Sequence, residues 1–164
     1  MSMRAALLTV SSSRAAGGGS DESGERLATL AAELGLDVAG REVLPDEQAT
    51  IAGRLTYWAD DAGVALILTS GGTGFSPDDV TPEATREVLD REAPGIAEAM
   101  RAASQPYSPH WMLSRGVAGT RGRTLIVNFP GSPRSIDQCG EAIAAALPHA
   151  LSLLAGGRPA HTPD

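Results

Sequence analysis

Residues 64–82 read VALILTSGGTGFSPDDVTP, an unbroken apolar run that gives way first to glycines and then to acids. Ala65, Leu66, Ile67 and Leu68 lack the alternation of a half-exposed strand, which is the pattern of a parallel strand covered by helices on both faces. The run ends at Gly71-Gly72-Thr73-Gly74, where missing Cβ atoms permit positive φ and let backbone N–H groups approach a ligand. Asp78 and Asp79 follow. Thr81-Pro82-Glu83 then reads as an N-cap, a proline at the first helical position and an acid in the first turn, which predicts a helix over 82–91. The stretch as a whole predicts a strand, an anion-binding turn and a helix, with two carboxylates facing a phosphate-sized site.

Towards the C-terminus, residues 94–104 carry Ile96, Ala99, Met100 and Ala103 at helical spacing, whereas 107–123 has no clear period. In it, Ser114-Arg115-Gly116 reads as a bend and residues 119–122 as a turn, around a short Val117-Ala118 segment. Residues 124–129 (TLIVNF) form a second continuous apolar strand. It ends in Pro130-Gly131-Ser132-Pro133, where Ser132 caps and Pro133 opens a helix with Ile136, Cys139, Ile143 and Leu147 on one face. Pro148 kinks or restarts that helix, which runs to Gly156-Gly157. Residues 158–164 read as a disordered tail.

Towards the N-terminus, residues 4–10 predict a first strand and the Ser- and Gly-rich stretch 11–23 a mobile loop. A helix over 25–34 stops at Gly35, and a weaker edge strand over 38–44 is interrupted by Gly40. Ile51, Leu55, Trp58 and Ala59 are spaced for a helix ending near Gly63, with Asp46 as its apparent N-cap. Strands alternating with helices predict an α/β three-layer sandwich with a mostly parallel sheet, and residues 1–157 read as one domain. Open parallel sheets bind ligands beyond their strand carboxyl ends, so the two Gly/Pro loops are expected to line one crevice.

The chain has 164 residues and a formal net charge of −7, which argues against a broad electropositive footprint for nucleic acid and in favour of a small ligand. All 13 basic residues are arginines, so a Schiff-base lysine and a Walker A lysine are excluded. Residues 1–10 lack the features of a secretory signal, and no apolar run approaches the roughly 18 residues of a membrane span. With a single cysteine, Cys139, the expectation is a cytoplasmic protein with no internal disulfide and no membrane partner.

Gly72-Thr73-Gly74 lacks the third glycine of the dinucleotide fingerprint, because Phe75-Ser76-Pro77 follows. One of Asp78 and Asp79 reads as a complement to a helix dipole. A hard cation such as Mg²⁺ needs only one or two carboxylates plus substrate phosphates, so Asp79 with a distant acid such as Asp46 is sufficient. Read from the residues alone, Asp46 is a cap. His110, His149 and His161 have no zinc-site context, and Cys139 reads as core rather than nucleophile. Ser114 and Arg115 are consistent equally with a turn bearing an exposed arginine and with a phosphate clamp.

The segments GGTGFSPDDVTPEAT, APGIAEAMR, MLSRGVAGTRG and LIVNFPGSP, in this order and at these separations, resemble the MoaB/Mog family of molybdenum cofactor biosynthesis. The resemblance spans nearly the whole chain and implies a molybdopterin-binding type of α/β fold. It also implies Mg-ATP-dependent adenylylation of molybdopterin with release of pyrophosphate. By position, it implies that Gly71, Gly72, Thr73 and Gly74 bind phosphate or pterin, and that Asp46 and Asp79 are the catalytic acids beside Mg²⁺. That replaces the cap reading of Asp46. Ser114, Pro130, Gly131 and Ser132 would contribute to the pterin pocket.

The family's first strand usually ends in Ser-Asp, and here Ser12 stands where that acid would fall. Some family members share the fold without an established adenylylating role, so the alternative implied is a non-catalytic molybdopterin carrier or assembly protein. Without the resemblance, the residues describe a small α/β phosphate-binding protein, such as a hydrolase of a nucleotide. The resemblance further implies a homotrimer or hexamer, and other molybdenum cofactor biosynthesis proteins as possible partners. Trp58, Tyr107 and Trp111 are the apolar groups available to an interface.

Overall fold

The structure is a computed structural model that describes residues 2–157; the expected tail at 158–164 lies outside the described residues. In chain order the elements are β1 (Arg4–Val10), α1 (Ser12–Ala15), α2 (Glu22–Glu33), β2 (Asp37–Leu44), α3 (Gln48–Thr56), β3 (Leu66–Ser70), α4 (Thr81–Val88), β4 (Arg91–Glu92), α5 (Pro94–Ser104), β5 (Ala118–Arg121), β6 (Thr124–Phe129), α6 (Pro133–Ile143) and α7 (Leu147–Leu154). They form one six-stranded sheet in the order β2-β1-β3-β6-β5-β4. The first four strands in that order are mutually parallel; β5 runs antiparallel to β6, and β4 antiparallel to β5. Helices cover both faces, so the expected three-layer sandwich is the fold.

Side-chain alternation along the apolar runs explains why they are unbroken. Leu66 and Leu68 of β3, with Leu125, Val127 and Phe129 of β6, pack against Leu27 and Leu30 of α2, Met100 of α5, Ile136 and Cys139 of α6, and Leu151 of α7. Ile67 and Ile126 point the other way, into Ile51 and Leu55 of α3 and Ala84 and Val88 of α4. Each fully buried Leu or Ile contributes about 1.5–3 kcal/mol relative to leaving it in water. A polar residue on either face would forfeit that, which is why the central strands contain no alternation.

Several expectations are corrected. Residues 11–23 are not one loop: Ser11 accepts the Arg14 N–H to start the α1 turn, and the Asp21 carboxylate accepts the Gly24 N–H at 2.9 Å to start α2 three residues early. Asp46 does not cap α3; Glu47 stands at that position and makes no side-chain cap bond. Thr81 is likewise not a cap but the first helical residue of α4, after Val80. That helix ends at Val88 rather than 91, because residues 91–92 pair with Thr120 and Gly119 as a short strand. Residues 119–121, expected as a turn, belong to β5, and the reversal falls at Gly122 (φ +54°). Trp58 is buried against Gly40 and donates its indole N–H to Glu42 at 3.1 Å, so it is not an interface group.

Both sheet edges are irregular. Strand β2 is bulged, with a register shift opposite Ala5 and Ala6, and it carries an exposed Arg41 and a half-buried Glu42 on opposite faces. Glu42 is held by Arg54 of α3 at 2.9 and 2.5 Å. At the other edge β4 is only two residues long, Arg91 and Glu92.

Candidate functional site

Four parallel strands end along one rim of the sheet, and the loops that leave them carry every site residue the resemblance implies except Ser114. The loop after β3 is the most constrained. Gly71 and Gly72 have φ of +90° and +68°, and a Cβ on them would lie 2.3 Å from the Val10 carbonyl oxygen and 2.3 Å from Thr81 Oγ1. No other side chain fits either position.

The polar groups of this loop are divided by type. The Gly71 carbonyl accepts the Thr81 hydroxyl at 3.0 Å and the Gly72 carbonyl accepts the Thr81 N–H at 3.1 Å. The Thr73 carbonyl accepts the Arg115 N–H at 2.8 Å, and the Gly74 carbonyl accepts Arg115 Nε at 2.8 Å. By contrast, the N–H groups of Gly72, Thr73, Gly74 and Phe75 have no acceptor among the described residues. Four consecutive carbonyls are tied into the protein and four consecutive donors are left open, so the groups this loop has to offer are donors, the type of group an anion takes. The Ser70 hydroxyl just before it is buried and also has no partner among the described residues.

Arg115 is the contact that sequence could only leave undecided. Besides Gly74 it reaches the Asp79 carbonyl through Nη2 at 2.8 Å and the Glu83 carboxylate through Nη1. The Arg115 guanidinium holds the Glu83 carboxyl below the usual range, although burial acts the other way. Each guanidinium nitrogen is therefore engaged by the protein, and the half-buried side chain ties the loop together rather than extending freely into solvent.

Of the two neighbouring acids, Asp78 is exposed and Asp79 half-buried. Neither lies in the first turn of α4; the acid there is Glu83. Asp79 Oδ2 accepts the Ser76 N–H at 3.0 Å and would lie 2.8 Å from a Cβ on Gly74. Asp46 sits on the loop after β2, where its Oδ2 accepts both the backbone N–H (3.0 Å) and the hydroxyl (2.9 Å) of Ser12, while its own N–H donates to Ser12 Oγ at 2.9 Å. Each acid thus keeps one oxygen, Oδ1, without a partner among the described residues. No group of three or more His, Cys, Asp or Glu side chains able to hold a metal occurs among the described residues. Asp46 and Asp79 each offer one free carboxylate oxygen, the type of ligand that Mg²⁺ takes when substrate phosphates and water complete its shell.

The loop after β6 abuts the glycine loop: Gly71 N–H donates to the Phe129 carbonyl at 3.1 Å, and a Cβ on Gly131 would lie 3.4 Å from Gly71 Cα. The Gly131 carbonyl accepts the buried Ser23 hydroxyl at 2.7 Å. Ser132 is the N-cap of α6 by position but makes no side-chain cap bond. Beside this loop, under α5 and α6, lies a pocket of about 120 Å³ lined in part by Met100, Arg101, Trp111, Ser114, Pro130 and Cys139. It takes in Ser114 and Pro130 but not the glycine loop or the two acids. No carboxylate lines it, and Arg101 spends one nitrogen, Nη1, on the Ser114 and Gly116 carbonyls at 3.3 and 2.9 Å. Burial pushes the Cys139 thiol up, so it is protonated wall rather than nucleophile.

Sequence reasoning missed Arg101 and Asn128. Asn128 is buried and donates to Thr69 and Thr85 hydroxyls, both at 3.0 Å, while accepting the Val117 N–H at 3.2 Å. An amide inside the apolar run TLIVNF was the available signal.

The family description "Probable molybdopterin binding domain" matches residues 6–149. A crystal structure of the molybdopterin biosynthesis enzyme MoaB from Thermus thermophilus superposes with a TM-score of 0.88 at 49% identity, covering 94% of this chain and 97% of that one. This chain belongs to the MoaB/Mog family of molybdenum cofactor biosynthesis. Another member, the Mog protein from Mycobacterium ulcerans, gives a TM-score of 0.87 at 39% identity, covering 95% and 99% of the two chains. Molybdopterin adenylyltransferase of Helicobacter pylori strain J99 is 42% identical over 70% of this MoaB/Mog chain and 65% of its own length, so this chain spans about two thirds of that relative. No helix among the described residues of this family member is long and apolar enough to cross a membrane.

Proposed function

We propose that this MoaB/Mog protein is a molybdopterin adenylyltransferase, transferring the adenylyl group of Mg-ATP to molybdopterin and releasing pyrophosphate. The observation that carries the reading is the loop whose carbonyls are withdrawn while the N–H groups of Gly72, Thr73, Gly74 and Phe75 stay open. Those donors bind the phosphate oxygens of ATP, with no lysine required. The relative named molybdopterin adenylyltransferase supports the substrate pair.

Asp46 and Asp79 would hold Mg²⁺ through their free Oδ1 atoms, and when bound the ion neutralises phosphate charge and orients the leaving group. Ser12 holds Asp46 in place from one side and leaves the other oxygen open. The pocket at Trp111, Ser114 and Pro130, extended along the rim by Gly131 and Ser132, receives the flat pterin, with Trp111 as an aromatic wall and Arg101 as a donor. Transfer of this kind depends chiefly on positioning and electrostatics, and no side chain needs to form a covalent intermediate.

Purified protein, intact molybdopterin and Mg-ATP should yield adenylylated pterin and one pyrophosphate per turnover. Binding of pterin without ATP consumption would instead identify a carrier, the reading that the Ser12 position favours. Activity on ordinary nucleotides alone would identify a nucleotide hydrolase. We also infer a cytoplasmic homotrimer or hexamer; a stable monomer at micromolar concentration in light scattering would count against it.

A further inference from the structure

We propose, on the reading of residues 71–79 as a phosphate site, that Arg115 is a positioning residue that sets the direction of half the anion-binding donors without itself touching the ligand. In a planar trans peptide the C=O and the following N–H point in opposite directions. Fixing a carbonyl therefore fixes the next donor. Thr81, through its hydroxyl and N–H, anchors the Gly71 and Gly72 carbonyls and so orients the N–H groups of Gly72 and Thr73. Arg115, through its N–H and Nε, anchors the Thr73 and Gly74 carbonyls and so orients the N–H groups of Gly74 and Phe75.

The second half needs such an anchor. Gly74 has no side chain to restrict it, and a flipped Gly74–Phe75 peptide would turn a carbonyl oxygen towards a phosphate. Arg115 prevents this from the far side of the loop. Its third guanidinium nitrogen is taken by Glu83 and its second by the Asp79 carbonyl, so the same side chain also fixes the backbone of the acid proposed to face Mg²⁺. Each of the three nitrogens spends one N–H inside the protein and the charge is offset by Glu83, so the Arg115 side chain is held behind the loop rather than free to swing onto a ligand.

Three variants of the full chain separate positioning from direct contact: Arg115→Lys, Arg115→Gln and Glu83→Gln. In the ligand-free protein, the backbone ¹⁵N order parameter of Phe75 should fall in both Arg115 variants from about 0.85 to below about 0.6, with Gly72, Thr73 and Gly74 little changed, because the residue-115 N–H that holds the Thr73 carbonyl is kept. The dissociation constant for Mg-ATP, read by calorimetry, should rise in both, and Lys should not rescue because it lacks the planar fork. Glu83→Gln should weaken Mg-ATP binding in the same direction, since it loosens the guanidinium. Tighter binding in Glu83→Gln would mean that the arginine charge acts on the phosphate directly and would overturn the proposal. So would an unchanged Phe75 order parameter in folded Arg115→Lys. If the wild-type protein shows the two-part loop behaviour but binds no Mg-ATP, the phosphate reading fails while the positioning role stands.

Discussion

The loops after β3 and β6 carry the same punctuation, glycine, serine and proline behind a buried strand, yet they are built differently. In the β3 loop the glycines are needed for conformation: φ is positive at Gly71 and Gly72, and a Cβ on either would meet protein atoms at 2.3 Å. In the β6 loop Gly131 lacks a positive φ, and a Cβ there would be at ordinary contact distance from its nearest neighbour, 3.4 Å away. The first loop is held by an ionic side chain, Arg115 with Glu83, and the second by a neutral hydroxyl, Ser23. A glycine in a motif thus identifies a site only where backbone geometry demands it, and the carbonyl anchors are the better sign.

The largest test of that difference is Gly72→Ala. A left-handed non-glycine residue costs on the order of 1–3 kcal/mol, and the clash with Thr81 adds to it. Denaturant unfolding should show that loss, and pyrophosphate release should be abolished; retained nucleotide binding would remove the distinction between the loops. Next are Asp79→Asn and Asp46→Asn, which preserve acceptors for Ser76 and Ser12 but delete a charge. Turnover should drop on the order of a hundredfold or more while the melting temperature hardly moves, as expected for electrostatic catalysis. Full activity in both would make these acids mere loop anchors.

A smaller effect sharpens the contrast through pH. Glu83 has a depressed folded pKa, so its contribution to stability is fully present above the ordinary glutamate value of about 4.3 and is lost as pH falls through the lower folded value. Acid titration followed by NMR should therefore loosen residues 73–75 before residue 131, and Glu83→Gln should abolish the pH dependence of the first loop. Exposure of the pair to solvent keeps the stability change modest. The smallest effect on stability belongs to Gly131→Ala, which should shift it by less than about 1 kcal/mol in denaturant unfolding, because neither φ nor space forbids the methyl group. A loss comparable to Gly72→Ala would break the comparison.

The parts legible in the sequence are those whose cause is local. The bounds of β6 and α5 follow from the apolar run at 124–129 and from Pro94 with its 3.6-residue stripe. Residues 71–74 stood out because a buried strand ends in glycines. The division of donors and acceptors was not legible, because the residue that makes it, Arg115, lies 41 positions from Gly74 and meets it only through the antiparallel side of the sheet. Strands β4 and β5 escaped for a related reason. Arg91-Glu92 and Ala118–Arg121 have no hydrophobic pattern of their own and are strands only because β6 supplies a partner for β5, and β5 in turn one for β4. Asp46 and Ser12 each read plausibly alone, as a cap and a loop serine. Their three mutual bonds span 34 positions and require the strand order β2-β1.

The irregular margins of the sheet bear on how copies of this chain can meet. An open strand edge is a template for adding another chain, and long flat apolar edges are where aggregation begins. Here one margin is bent by a bulge, studded with Arg41 and Glu42 and covered by the Arg54 and Trp58 side chains that grip Glu42. The other is two charged residues long. Neither offers a long, flat row of free donors and acceptors on which the sheet could extend from one molecule to the next. Any ordered association is left to the helices and to exposed groups such as Tyr107 and Met112.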